Sequence, residues 1–267
     1  SQIFSDAPTD PIPGEPLPWV AERIPSKVLL LWLALLDHLA ALVDLPGLLL
    51  RSKRGFDAVK ARRARAKVRV PDFSGAAPNS ALNDAFTPQR AYARAALPLA
   101  DVKAVKDAAG VTLNDVVLAT VAGGLRSYLA ERGELPDRPL LASVPVSYES
   151  PDAPIRQSGN TFWSFTTSLA TDIDDPAERL ATISAPAAEA KEQLTILGPD
   201  LMPAWLDLVP PIIAEPGAKA LIERLRNASP TDLVDANVLI SNIRGPAEPW
   251  TLLGREVTDL YIDGPPS

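Results

Sequence analysis

Two adjacent polar residues, Asn114 and Asp115, stand near the start of an otherwise apolar stretch, "VTLNDVVLATVAGGLRSYL", Val111 to Leu129. An amide or a carboxylate in such a place either satisfies local backbone groups or works on something bound. The stretch reads as a helix. Thr112 is its N-cap, Asp115 three residues on is the acidic arm of a capping box, and Gly133 supplies the stop. At 3.6 residues per turn, Asn114, Leu118, Val121, Leu125 and Tyr128 share one stripe, the expected core face; Asp115, Ala119, Ala122 and Arg126 share another. An acid in the first turn complements the helix dipole, which accounts for Asp115. Burying an unpaired amide costs about 1–3 kcal/mol. Asn114 therefore has two readings, an amide satisfied by nearby backbone or one that faces a site. For Arg126 the expectation is a surface role, with Asp115, Glu131 or a phosphate as partner.

The remaining chemistry is bounded by what the chain lacks. It has no cysteine, which excludes disulfides, thiol catalysis and cysteine-based metal sites. Its one histidine, His38, excludes a multi-histidine metal cluster or a pair of catalytic histidines within these 267 residues. No metal site is expected. The one methionine is Met202, so Ser1 is not a translation start, and the chain reads as a processed, cloned or partial product of a longer one. At 46% hydrophobic and 22% charged residues, the composition is that of a globular protein with ample core material. The 28 prolines point to many loops and sharp helix boundaries.

Charge is unevenly spread. Between Arg51 and Arg69 nine cations face one acid, Asp57, giving +8 over nineteen residues in a chain of net charge −7, which leaves −15 for the rest. Just upstream lies the greasiest run, "VLLLWLALL" from Val28 to Leu36. Nine residues fall short of the roughly 20 a membrane span needs, and Asp37, His38, Asp44 and Pro46 interrupt its continuation. A greasy helix followed by a basic one suits a peripheral anchor on anionic head groups. The competing reading is a core helix followed by a solvated arm or a segment docked on an acidic surface. Nucleic acid is not expected as a partner, because few aromatics interleave the cations and the rest is acidic.

Three regions follow from these patterns: a proline-rich connector over residues 1–20, a helical linker with its basic segment over 21–69, and an α/β lobe over 70–267. In the linker, Pro46 should break or kink the helix. In the lobe, "RAYARAALPL" is expected as a strand and "ADVKAVKDAAG" as a short helix ended by Gly110. "PLLASVPVS" is expected as a strand, and "TFWSFTTSLATDI" as a half-buried one with Trp163, Phe165, Thr167 and Leu169 on its inner face. Asp175, Pro176 and Glu178 open a helix as cap, first-turn proline and capping-box acid, with a kink expected at Pro186. Residues 197–216 read as a mobile, proline-broken apolar stretch, a lid or a core helix. Another helix is expected near 218–227, and "ANVLIS" and "EVTDLYI" as the last strands. Strands interleaved with helices make an α/β sheet layered with helices.

Three segments in order, "TLNDVVLATVAGGLRSYL", "LLASVPVSYES…GNTFWSF" and "VLISNIRGPAEPW", resemble the bifunctional wax ester synthase/diacylglycerol acyltransferase family, especially its actinobacterial triacylglycerol synthases. Asn114-Asp115 matches the family's "ND" helix, Pro145-Val146-Ser147 its "PVS" strand, and Ser241-Asn242 with Gly245-Pro246 its "SN-x-x-GP" element. The resemblance covers about residues 80–262. It implies a CoA-dependent acyltransferase-like (chloramphenicol acetyltransferase-like) lobe with a mixed sheet. It also implies acyl transfer from acyl-CoA, a co-substrate rather than a cofactor, to diacylglycerol or a long-chain alcohol. Asn114, Asp115, Pro145, Ser147, Ser241, Asn242, Gly245 and Pro246 would then bind substrate or support the site. The family's base belongs to an "HHxxxDG" motif that this sequence lacks: His38 stands in "LLDHLAAL". The resemblance therefore implies that the base arrives on a separate N-terminal lobe, that this chain alone is inactive, and that the enzyme is cytoplasmic, peripherally bound to membrane or lipid droplets. Two other readings stay open, a non-catalytic lipid-binding module and a related acyltransferase acting on polyketide or sugar hydroxyls.

Overall fold

The computed structural model describes residues 25–68, 70–71, 77–83, 91–147, 162–198, 200–209, 211–226, 235–243, 245, 251–252 and 255–259. The chain divides into two units, residues 37–242 and residues 1–36 together with 243–267. The latter holds the start of α1 (Lys27–Arg65) and a short antiparallel pair, β4 (Thr251–Leu252) with β5 (Arg255–Glu256).

The larger unit is built on a three-stranded sheet in the order β2-β1-β3. β1 (Leu141–Ser147) pairs antiparallel with β2 (Phe162–Ser168), Val144 opposite Phe165. It pairs parallel with β3 (Val238–Leu239), Ser143 opposite Leu239. One face of this sheet, Ala142, Val144, Phe165 and Ile240, joins Leu118, Ala122 and Leu129 of α3 (Leu113–Glu131) and Ile183, Ala187, Ala190 and Leu194 of α4 (Pro176–Leu197) in the core. α2 (Leu99–Ala109) precedes α3, and Gly110 ends it at φ 67°, a left-handed position that glycine takes without steric cost. Asn237 ties the sheet's margin together. Its side-chain oxygen accepts from Leu141 N at 2.9 Å, and its amide donates to Pro78 O at 2.8 Å and to Asn83 Oδ1 at 2.6 Å.

α4 opens as its sequence dictates. Asp175 Oδ1 accepts from Glu178 N at 2.8 Å with Pro176 in the first turn, and the helix continues through Pro186. Likewise α1 runs through Pro46 as one helix. Its second half docks on α4. Leu48, Ser52 and Val59 are buried, Arg62 makes a two-pronged pair with Glu189 at 2.8 and 2.9 Å, and Arg63 Nε donates to Gln193 Oε1 at 2.7 Å. α5 (Leu201–Asp207) adds a bond from Trp205 Nε1 to Ser52 Oγ at 2.9 Å.

Four expectations change. Residues 91–98 are exposed and form no strand; alternating Arg and Ala offers no apolar face that a neighbouring strand could cover. The stretch 197–216 is largely helical, as the end of α4, α5 and the start of α6 (Pro211–Arg226). In "EVTDLYI" only Glu256 lies in a described strand. Finally, α1 holds an 18-residue window of mean hydropathy 2.0, long and apolar enough by length and composition to cross a membrane despite its two acids.

Candidate functional site

α3 presents its polar start differently from the stripe expected of it. Its buried residues are Asp115, Val116, Leu118, Ala122 and Leu129, while Tyr128 is exposed and Asn114 half-buried. The reason is the neighbour. Asp115 Oδ2 accepts from Thr112 N at 2.9 Å and from Thr112 Oγ1 at 2.8 Å, as the capping box requires, and also from Ser184 Oγ of α4 at 3.1 Å. A carboxylate can be buried when it is hydrogen-bonded, and these three donors all meet Oδ2. Asp115 is thus a clasp between two helices through that oxygen. Beside it lies a groove of about 300 Å³ lined by Ala109, Val111, Ala177, Leu180, Ala181, Ser184 and Ala185. Asn114 makes no side-chain hydrogen bond among the described residues.

The helix pair is fixed further along by Arg179. This buried guanidinium donates to Ile173 O at 3.1 Å and Asp174 O at 2.7 Å, and lies so close to α3 that a Cβ on Gly123 would stand 2.7 Å from its Nη1. Arg126 pairs with neither Asp115 nor Glu131. It donates to Thr171 O at 2.6 Å and pairs with Asp174 at 3.2 Å. Thr171 in turn accepts from Leu140 N at 2.9 Å, just before β1. The second half of α3 is therefore anchored where β1 begins, at the other end of the strand from where β1 finishes.

That end gathers other residues singled out by sequence. β1 finishes with Pro145 and Ser147, and β2 starts opposite them at Phe162 and Ser164. β3 runs parallel to β1, Leu239 opposite Ser143, and Ile240 N donates to Ser143 O at 2.9 Å; Ser241 and Asn242 follow, exposed, beyond the strand. Side chains alternate across a strand. Leu141, Ser143, Pro145 and Ser147 of β1, Phe162, Ser164, Thr166 and Ser168 of β2, and Leu239 of β3 consequently share the face opposite the core. Leu141 is buried and the others are half-buried or exposed. Gly245 is exposed, and Pro246 lies outside the described residues.

Ser143, Ser164, Thr166 and Ser168 escaped the sequence reading. Their signal was the period-two run of hydroxyls, Ser143-x-Pro145-x-Ser147 and Ser164-x-Thr166-x-Ser168, on the side of each strand that the apolar pattern leaves free. Such a surface can donate and accept hydrogen bonds, and carries no group with the pKa of a general base. The imidazole of His38 lies on α1, half-buried, with its Nε2 unpartnered.

Comparison with known proteins bears on this geometry. The family model for the wax ester synthase/diacylglycerol acyltransferase catalytic domain matches residues 1–117, and that for the WS/DGAT C-terminal domain matches residues 158–265. A Mycobacterium tuberculosis (strain H37Rv) protein provisionally named diacylglycerol O-acyltransferase is 37% identical over 247 residues, 92% of this chain and 51% of the relative. A second from the same organism, similarly named, is 42% identical over 174 residues, 65% of this chain and 37% of the relative. Among solved structures, the wax ester synthase/diacylglycerol acyltransferase from Marinobacter aquaeolei VT8 superposes with a TM-score of 0.50 at 29% identity, covering 81% of this chain and 44% of that one. The chain spans about half the length, or less, of the curated relatives it matches. The mixed sheet layered with helices is the CoA-dependent acyltransferase-like fold.

Proposed function

Because the chain belongs to the wax ester synthase/diacylglycerol acyltransferase family, we propose that it is the acceptor-side part of an acyl-CoA-dependent O-acyltransferase that makes triacylglycerol from diacylglycerol, or wax esters from long-chain alcohols. In that reaction the acceptor hydroxyl loses its proton to a base as its oxygen attacks the thioester carbonyl. The carbon–sulfur bond then breaks and the CoA thiol leaves, taking up a proton. An alcohol's pKa lies far above 7, so the base must be positioned and of suitable pKa, most often an imidazole. The developing oxyanion needs a donor.

The observation that supports this reading is the sheet face bearing Ser143, Ser147, Ser164, Thr166 and Ser168, whose hydroxyls can hydrogen-bond an acceptor but are not bases of suitable pKa. His38 has neither a second histidine nor an Asp-Gly behind it. On this reading the base comes from an HHxxxDG-bearing lobe outside these residues, and the sheet face orients the acceptor. No bound cofactor is required, since acyl-CoA enters as substrate. The reading locates the enzyme in the cytoplasm, at the membrane or lipid-droplet surfaces where its acceptors reside.

Co-expression with a family segment bearing HHxxxDG is expected to restore CoA release from acyl-CoA and diacylglycerol, while the chain alone gives none. A correctly assembled pair that stays inactive on every long-chain acceptor contradicts the proposal.

A further inference from the structure

α1 has two faces that behave differently. Leu48, Ser52 and Val59 lie on its inner side and are buried. At 3.6 residues per turn, Trp32, Leu36, Leu39, Val43, Pro46 and Leu50 follow one another at four- and three-residue steps along the opposite side. Each of the apolar residues in that series is about half exposed or more, Val43 reaching 78%. The same face changes character downstream, where it carries Arg54, Lys60 and Arg65, all exposed, with no ion pair within 4 Å among the described residues. Lys53, also there, is neutralised by Asp57 at 2.7 Å. Arg62 and Arg63 take no part, being spent on Glu189 and Gln193.

A surface helix normally turns its apolar stripe inward. Here the inward stripe is confined to the second half of the helix, and over residues 28–43 the large apolar side chains are exposed, the outward series among them, with Asp37 the one acid between them. We propose that the outward face of α1 docks on an anionic lipid bilayer, its leucines entering the acyl boundary and Arg54, Lys60 and Arg65 meeting lipid phosphates. The order along the helix, apolar and then cationic, is the pairing that such a surface rewards: insertion from apolar area, reinforced by attraction to anionic head groups. The helix lies on the bilayer rather than crossing it. Asp37 and Asp44 are both exposed on the flank away from the outward stripe, where they stay in water. In a spanning helix each would cost roughly 2.5–3.5 kcal/mol near the bilayer centre. The inner side is already bound to the protein through Arg62 and Val59.

This inference rests on the lipid-acyltransferase reading only for its biological sense, and its test reads binding without acyl-CoA, so either can fail alone. The 267-residue chain is floated with phosphatidylcholine vesicles, and with vesicles in which a third of the lipid is phosphatidylglycerol. Binding is expected to favour the anionic vesicles and to weaken as salt is raised. The triple variant R54Q/K60Q/R65Q should lose roughly a hundredfold in affinity for them. The variant L39E/V43E should abolish flotation on both vesicle types. All substituted side chains are exposed, and unchanged circular dichroism and melting confirm that the variants fold. Equal binding to both vesicle types, or variants that float like the parent, overturns the proposal. So does a chain that self-associates through this face and leaves vesicles bare. Adding the HHxxxDG-bearing lobe must leave the chain on the vesicles; release by the lobe would make this face a protein interface and also overturn the proposal.

Discussion

The two faces of the three-stranded sheet are made of the same strands and serve opposite ends. Ala142, Val144, Phe165, Thr167 and Ile240 on one side are buried against α3 and α4. Ser143, Pro145, Ser147, Ser164 and Thr166 on the other carry mostly hydroxyls and retain solvent contact. The difference teaches that the period-two pattern of a strand separates a packed face from a more exposed, polar one residue by residue. The core face specifies the fold, and the other face can vary its chemistry with little effect on folding.

The sharpest way to break that contrast is to truncate one residue on each face. Phe165→Ala removes a buried ring from the core and should cost about 3–5 kcal/mol in urea unfolding. Ser164→Ala, its neighbour on the opposite face, should change stability by less than about 0.5 kcal/mol. Comparable costs at the two positions would show that both faces are packed.

A smaller effect tests how the covering helices are held. Gly123→Ala forces the Arg179 guanidinium away from Ile173 O or Asp174 O, and the lost bond outweighs the gain in helix propensity, for a net loss of about 1 kcal/mol. Gly124→Ala, facing open space, should instead stabilise by up to about 1 kcal/mol. Thermal melting of the two variants should therefore shift in opposite directions.

The smallest effect lies where α1 meets α4. The Arg62 guanidinium hydrogen-bonded to Glu189 holds that carboxyl below its ordinary value of 4.5. A depressed carboxyl pKa contributes stability that is present above the unfolded value and lost as pH falls through the folded one. Acidification below about pH 4.5 should thus weaken the parent, and Glu189→Gln, costing about 1 kcal/mol at pH 7, should flatten that acid limb. An unchanged acid limb would show that the pair contributes nothing.

Much of the architecture was legible because its signals are local. Asp175-Pro176 with Glu178 opened α4, Thr112 with Asp115 capped α3, and the alternation of Phe165, Thr167 and Leu169 oriented β2. The failures have a common cause, a partner distant in sequence. Asp115 is buried because Ser184, 69 residues on, supplies a donor, and this rotates the core face of α3 away from Asn114. "RAYARAALPL" has strand-like alternation, yet residues 91–98 form no strand. Asn237 read only as part of a strand, although it joins Leu141, Pro78 and Asn83. The site was half legible. Motif residues marked Pro145 and Ser147, while the hydroxyl row that joins them emerges only once register aligns β1 with β2.

The central claim is that this hydroxyl face meets the segment that carries the base. The chain contains no cysteine, so a single introduced thiol reports its own surroundings. Ser164→Cys, Ser241→Cys and, as a control on the exposed flank of α3, Tyr128→Cys can each be labelled with a thiol reagent, with and without the HHxxxDG-bearing lobe. The account predicts that all three label in the chain alone, and that the first two become protected in the complex while the control does not. A complex that turns over acyl-CoA while Ser164→Cys and Ser241→Cys label as freely as before would contradict it.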